Sequence, residues 1–191
     1  MFALRVTRGA YHALMAKQTY PLWTYFPRNL EAPPWVAEFV EVVSHEQASL
    51  QPSDGTLTSD QALDVLRPGL SLIGYQVEGD EAGLIRRPVL FGDEGSPQVT
   101  YEVDAFHPDH KVLVEIEAGR GWQGNAVFRD IVRTSLIADA DYLVIGMLQR
   151  YIFGKNQTVN RSYEAARSLF DAIYASGRLG LPFKGILLFG Y

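Results

Sequence analysis

The chain of 191 residues contains no cysteine. Disulfides, thiolate-held zinc and a thiol nucleophile are therefore excluded together. It also lacks any run of about 18 uninterrupted apolar residues, so no segment reads as a membrane-spanning helix. The N-terminal stretch MFALRVTRGAYHALMAKQTY is broken by Arg5 and Arg8 and lacks the order of a signal peptide. A soluble, cytoplasmic protein is the expectation. Walker-type loops, G-x-S-x-G and H-E-x-x-H are missing too, which leaves P-loop, serine-hydrolase and zincin chemistry without support.

A positive overall charge is also missing. The net charge is −5, which suits an ordinary acidic protein better than a nucleic-acid binder. The distribution changes that reading. Residues 1–30 carry +4, residues 31–117 carry −13 and residues 118–191 carry +4. Only a contact surface has to be positive for nucleic acid, so basic ends around an acidic middle remain compatible with DNA.

What is present is an apolar content of 47%, enough for a core in one domain. No internal repeat or low-complexity segment divides the chain. The aromatic first thirty residues read as an irregular arm or edge hairpin. Pro33 and Pro34 suit a helix start, and Trp35 or Val36, Phe39, Val40 and Val43 follow at helical spacing. TSDQALDVL reads as a second helix capped by Thr58 or Ser59. The pattern then predicts strands over 70–77, 83–91, 98–106 and 111–118. A helix is expected over 121–139 with Val127, Phe128, Ile131, Val132 and Leu136 as its buried stripe. A buried strand over 142–148, a helix over 161–176 ended by Gly177, and a strand over 184–191 complete the order. The alternation in the C-terminal half calls for parallel neighbours with right-handed crossovers. The expectation is one α/β domain over 1–191. An arm and helices (1–69) precede a mixed β-sheet core (70–191) with helices on both faces.

The stretch YEVDAFHPDHKVLVEIEAG, 101–119, sets four carboxylates on two strands. Alternation puts Val112, Val114 and Ile116 on one face and Leu113, Glu115 and Glu117 on the other. On the preceding strand Val103 and Ala105 share one face, and Glu102, Asp104 and Phe106 the other. A hairpin closing about Pro108-Asp109 sets Asp104 opposite Leu113 and Glu102 opposite Glu115. Carboxylates sharing such a site need compensation, and Mg²⁺ or Mn²⁺ with oxygen ligands is the usual one. A wet face with spaced charges is the alternative. The apolar runs YLVIGML and GILLFGY favour a buried sheet instead.

Asp104, the eleven-residue step to Glu115, the Glu-x-Glu at 115–117 and the helix after it resemble the PD-(D/E)xK nuclease superfamily over about residues 70–150. The resemblance implies a restriction-endonuclease-like fold and a Mg²⁺-dependent endonuclease acting on double-stranded DNA, with Mn²⁺ able to substitute. Asp104, Glu115 and the backbone carbonyl of Ile116 would be its metal ligands. Such enzymes often act as homodimers, although nothing in this sequence marks a dimer interface. The family usually has Lys where Glu117 stands. The E-x-E variant occurs in some type II restriction enzymes, and it leaves Glu117 as general base or further metal contact.

Glu78 and Glu102 are additional candidates for the acidic site. Arg120, Asn125, Arg129 and Lys155 are candidates for substrate contact, with Arg133 on the same helix face as Asn125 and Arg129. Arg161 shares the polar loop with Lys155. Arg86 and Arg87 point to opposite faces, so one is placed to neutralise part of the acidic face. His107 and His110 read as turn residues rather than metal ligands. Two alternatives stay open. One is a catalytically inactive nuclease-fold protein that binds nucleic acid or a protein partner. The other is an enzyme acting on a different phosphate ester.

Overall fold

Tyr142–Met147, apolar almost throughout, lies in the interior of a six-stranded sheet, as a strand buried on both faces should. The structure is a computed structural model, and it describes residues 20–51, 57–79, 83–118, 125–149, 151–153 and 158–191. Chain order is β1 (Leu22–Phe26), α1 (Pro34–His45), α2 (Gln47–Leu50), α3 (Ser59–Leu72), β2 (Gln76–Val77), β3 (Ile85–Phe91), β4 (Pro97–Val103), β5 (Ala105–His107) and β6 (Val112–Glu117). It continues with α4 (Ala126–Ser135), β7 (Tyr142–Met147), β8 (Tyr151–Phe153), β9 (Thr158–Asn160), α5 (Ser162–Ser176) and β10 (Gly185–Gly190).

The main sheet runs β1-β10-β7-β6-β5-β2. β6, β7 and β10 are mutually parallel, and β1, β5 and β2 add antiparallel neighbours at the two sides. This is a mixed α/β architecture. Helices cover both faces. Trp35, Phe39 and Val43 of α1 and Leu63, Leu66 and Leu70 of α3 pack with Val112, Val114 and Ile116. Val127 and Ile131 of α4 and Ala166, Phe170 and Ile173 of α5 pack on the other face with Leu113, Ile145 and Leu188. Each such side chain contributes about 1.5–3 kcal/mol on burial, which the interleaved strand and helix periods deliver to both faces at once.

Three expectations need correction. Residues 70–72 do not begin a strand, because α3 continues through Pro68 to Leu72. The spacing of Leu63, Leu66 and Leu70 is helical, and their burial outweighs the backbone bond that Pro68 cannot make. Gly74, at φ 97°, then turns the chain into the short β2. Of the arm or edge hairpin expected over the first thirty residues, the described part contributes an edge strand, β1, against β10, and residues 1–19 lie outside the described residues. The strand expected over 98–106 is cut at Asp104: β4 pairs only with β3 in a separate ribbon, while β5 joins the main sheet. The stripe on α4 is rotated, since Phe128, Val132 and Leu136 are 41%, 62% and 50% exposed and Asp130 and Thr134 are buried. The part of that helix expected over 121–124 lies outside the described residues.

Candidate active site

The β5–β6 hairpin decides which carboxylates meet. Ala105 pairs with Val114, Phe106 with Leu113 and His107 with Val112. The loop is therefore Pro108–Lys111, with Lys111 left-handed at φ 54°. This register differs by two residues from a closure about Pro108-Asp109. Continued by one step, it brings Asp104 beside Glu115 rather than Leu113. Glu102 does not face Glu115. It lies opposite Arg86 on β3 and pairs with that guanidinium at 3.1 Å.

Asp104 is where the chain leaves one sheet for the other. Val103 packs on the α4 side and Ala105 on the α3 side, so the alternation breaks between them. The bend frees Asp104 to use both ends. Its backbone carbonyl accepts from Glu78 N–H at 2.8 Å, and its Oδ2 accepts from Ile116 N–H at 2.6 Å. The N–H and C=O of a residue in a strand point to the same side. The Ile116 carbonyl is thus directed to the Asp104 side of β6, away from β7.

Glu115 and Glu117 share the α4 face of β6 with Leu113. Glu115 is only 6% exposed, and its Oε1 has no hydrogen-bond partner. Asp130, on the α4 turn packed above, is 1% exposed, and its Oδ2 is likewise unpartnered. Arg129 Nε reaches Asp130 Oδ1 at 3.3 Å, and its second guanidinium nitrogen reaches Glu117 Oε1 at 3.2 Å. Arg133 lies 4.0 Å from Asp130 Oδ1 and donates to the Glu102 carbonyl at 2.5 Å.

Four carboxylates against two guanidiniums leave an excess of negative charge in a poorly solvated place. Burial, with Glu78 and Asp130 adding to it, pushes the Asp104 carboxyl up to about 6 despite the Ile116 N–H. Burial and the Asp104 and Asp130 charges hold Glu115 well above the usual carboxylate range. Burial and a hydrogen bond to Asp130 push Glu117 up to about 8, with Arg129 opposing. Two facing carboxylates have no hydrogen to share unless one is protonated, which is why the Glu117–Asp130 contact favours the acid form of Glu117.

Among the described residues no three His, Asp or Glu side chains already surround one point as metal ligands. Asp104 is turned to Ile116, and Glu117 and Asp130 are held by Arg129. The donor set still suits a hard cation. All donors are oxygens, and two buried carboxylate oxygens lack any partner.

On the α3 side, Asp104 and Glu78 line a cavity of about 280 Å³ with Asp60, Asp64 and Arg67. Arg67 donates to the Glu78 carbonyl at 2.9 Å, and burial together with Glu102 and Asp60 raises the Glu78 carboxyl. Asn125 is exposed and left-handed at φ 56°, preceding α4 without capping it through its side chain. Arg86 and Arg87 do part to opposite sides, but Arg87 pairs with Asp139 and covers the Phe106 ring at 3.8 Å, outside the cluster. His107 is a buried residue rather than a turn residue. It meets the Ile73 carbonyl through Nε2 at 3.0 Å and accepts from His110 N–H through Nδ1 at 3.3 Å. Arg161 pairs with Glu164 at 3.4 Å. Arg120 and Lys155 lie outside the described residues.

Comparison with protein-family models and with curated proteins finds no match to this chain. The site therefore rests on its own geometry. Asp130 went unread in the sequence, although its place between Val127, Ile131 and Thr134 puts it within the buried arc of an amphipathic helix. A G-x-G-x-x-G run, expected to be absent, is present. Residues 119–124, Gly-Arg-Gly-Trp-Gln-Gly, have G-x-G-x-x-G spacing between β6 and α4. That spacing marks dinucleotide loops when an acidic residue ends the next strand. Here β7 ends in Met147, followed by Leu148 and Gln149, and the buried carboxylates oppose a pyrophosphate. The loop itself lies outside the described residues.

Proposed function

We propose that this protein is a divalent-metal-dependent endonuclease of restriction-endonuclease-like fold, acting on double-stranded DNA in a restriction or phage-defence role. The observation that carries the reading is the meeting of Asp104 and Glu115 at the junction of two sheets, with a buried Glu115 oxygen that has no partner. Asp104, Glu115 and the Ile116 carbonyl would hold Mg²⁺ or Mn²⁺. Such an ion supplies an activated water near neutral pH and positive charge for the phosphate.

The chain's own groups do the rest. Glu117 stands beside these ligands on β6 with Arg129 on its carboxylate, as general base or further metal contact. Arg129 and Arg133 flank the carboxylates from α4 and present guanidiniums to a phosphate, the geometry such groups recognise best. Asp60 and Glu78 border Asp104 from the α3 side and keep that approach acidic.

One observation favours a second reading. Glu117 stands where the resembled family has Lys, and it is already paired with Arg129. An inactive nuclease fold that binds nucleic acid or a protein partner would tolerate both. A plasmid-nicking assay with Mg²⁺ and Mn²⁺ separates the two. Wild-type protein is expected to nick, and EDTA or Glu115→Ala to abolish it. Calorimetry that detects no Mn²⁺ binding, with no nicking, would sink the nuclease reading and leave the binding module.

A further inference from the structure

The buried imidazole of His107, which the proposed reaction does not use, ties three parts of the fold together. It stands at the end of β5. Its Nε2 meets the carbonyl of Ile73, the residue that closes α3, at 3.0 Å. Its Nδ1 accepts from the N–H of His110, in the β5–β6 loop, at 3.3 Å. The ring of Tyr75 stands edge-on to it at 4.9 Å between centroids, and the His110 ring lies 4.4 Å away. Both ring nitrogens are therefore spoken for, one as donor and one as acceptor, which only a neutral imidazole with its proton on Nε2 can supply.

A second proton has one place to go, the lone pair on Nδ1. There it turns an acceptor into a donor that faces the His110 N–H, and that bond is lost. The bond from Nε2 to the Ile73 carbonyl survives and becomes charge-assisted. Protonation thus acts on one of the two ties only. The ionisable groups that face the ring are His110 and Asp109 from the loop, Glu38 from α1 and Tyr75 from the turn between α3 and β2. Burial and His110 push the imidazole below the ordinary histidine range, against the Ile73 carbonyl, Asp109 and Glu38. Near neutral pH the ring is therefore neutral and both ties are made.

We propose that His107 is a proton-released latch on the β5–β6 loop: the neutral ring holds the His110 amide and so fastens the loop to α3, and the imidazolium keeps α3 while letting the loop go. The hairpin it guards has three residue pairs, and the released end is the His107–Val112 pair. The other end is the one that brings Asp104 beside Glu115. Acid therefore loosens the hairpin from its loop, whatever the carboxylates bind. The sign follows from linkage. A histidine whose folded value is lowered contributes stability that is present above the unfolded value of about 6.5 and is lost as pH falls through the folded one. That is opposite to the raised carboxyls of the same hairpin.

The test is an NMR titration of the full chain in EDTA, following the His107 ring nitrogens and the backbone amides from neutral pH into acid. At neutral pH the ring should show the Nε2–H tautomer. As pH falls, the His110 amide should shift with the same midpoint as the His107 ring. His107→Gln keeps a donor for the Ile73 carbonyl but cannot titrate, so that step in the His110 amide should disappear. Should His107→Gln fail to fold, His110→Ala carries the test, because it keeps the main-chain N–H and removes only the neighbouring imidazole. The ring midpoint should then rise, and the amide step at position 110 should rise with it. An Nδ1–H tautomer at neutral pH overturns the latch. So does a position-110 amide that stays still while the ring titrates, or whose step fails to follow the ring in His110→Ala.

Discussion

Glu117 is pulled in two directions: Arg129 favours its charge, while burial and Asp130 favour its proton. The proton wins, at about 8 against 4.5 in a free chain, and Asp104 follows at about 6 against 3.8. Both groups bind protons more tightly folded than unfolded. The stability they contribute is fully present below the unfolded values and is lost as pH rises through the folded ones. The metal-free protein should therefore melt at progressively lower temperature as pH rises between about 4.5 and 8. Glu117→Gln removes its share of that slope and should make the curve shallower between about pH 6 and 8, with the raised Glu115 carboxyl supplying slope that remains. Saturating Mg²⁺ should flatten it as well, because a bound cation replaces the proton. Thermal melts across pH in EDTA check this, and parallel curves for wild type and Glu117→Gln would contradict it. Asp104, Glu115 and Glu117 were legible in the sequence because carboxylates inside apolar strands are costly and demand a reason. Asp130 was not, since Asp on an amphipathic helix ordinarily faces water, and only the rotation of α4 decides otherwise.

At the scale of elements, the site depends on how α3 hands over to β2. Gly74, with φ 97°, makes that turn beneath the His107 ring, and a Cβ there would stand 2.9 Å from His107 Nε2. His107 Nδ1 accepts from His110 N–H, so Nε2 carries the proton and donates to the Ile73 carbonyl. The ring thus clips the end of α3 to the β5–β6 hairpin that sets Asp104 against Glu115. Gly74→Ala should cost about 1–3 kcal/mol in urea unfolding, combining backbone strain with the steric clash. Gly95→Ala is the control, since φ there is 74° but nothing lies near the new Cβ. Equal losses at the two positions would show that the His107 contact adds nothing. Period alone revealed β7, β10, α1 and α5, because long apolar or amphipathic runs are unambiguous. It misjudged α3, whose last turn, Leu70-Ser71-Leu72, alternates like a strand while Leu63, Leu66 and Leu70 keep a helical face. It also misjudged the hairpin, because nothing in Lys111 announces a left-handed residue and a four-residue loop. That loop moved the register by two, which keeps every side chain on its face but changes its partner.

Across the whole molecule, the proposed activity requires an acidic chain to let a polyanion approach its most acidic point. The four carboxylates stand at one site, with two arginines of α4 beside them. Without a cation the site repels a phosphate, and a divalent ion reverses the local sign. Duplex DNA should therefore bind more weakly in EDTA than with a divalent cation. A sharper expectation separates this from general loss of structure. At a pH high enough to ionise the raised Glu115 carboxyl, Glu115→Gln removes a charge without changing shape, so in EDTA it should there bind DNA more tightly than wild type does, while in Mg²⁺ it should bind no better. Each phosphate contact contributes about −0.9 to the slope of log affinity against log salt. The gain should leave that slope unchanged, because repulsion is relieved and no contact is added. Fluorescence anisotropy with a labelled duplex, in EDTA and in Mg²⁺ at several salt concentrations, reads all three quantities. If Glu115→Gln and wild type bind equally in EDTA even where Glu115 is ionised, the carboxylate cluster does not lie against the nucleic acid. The basic surface would then have to be sought elsewhere on the fold.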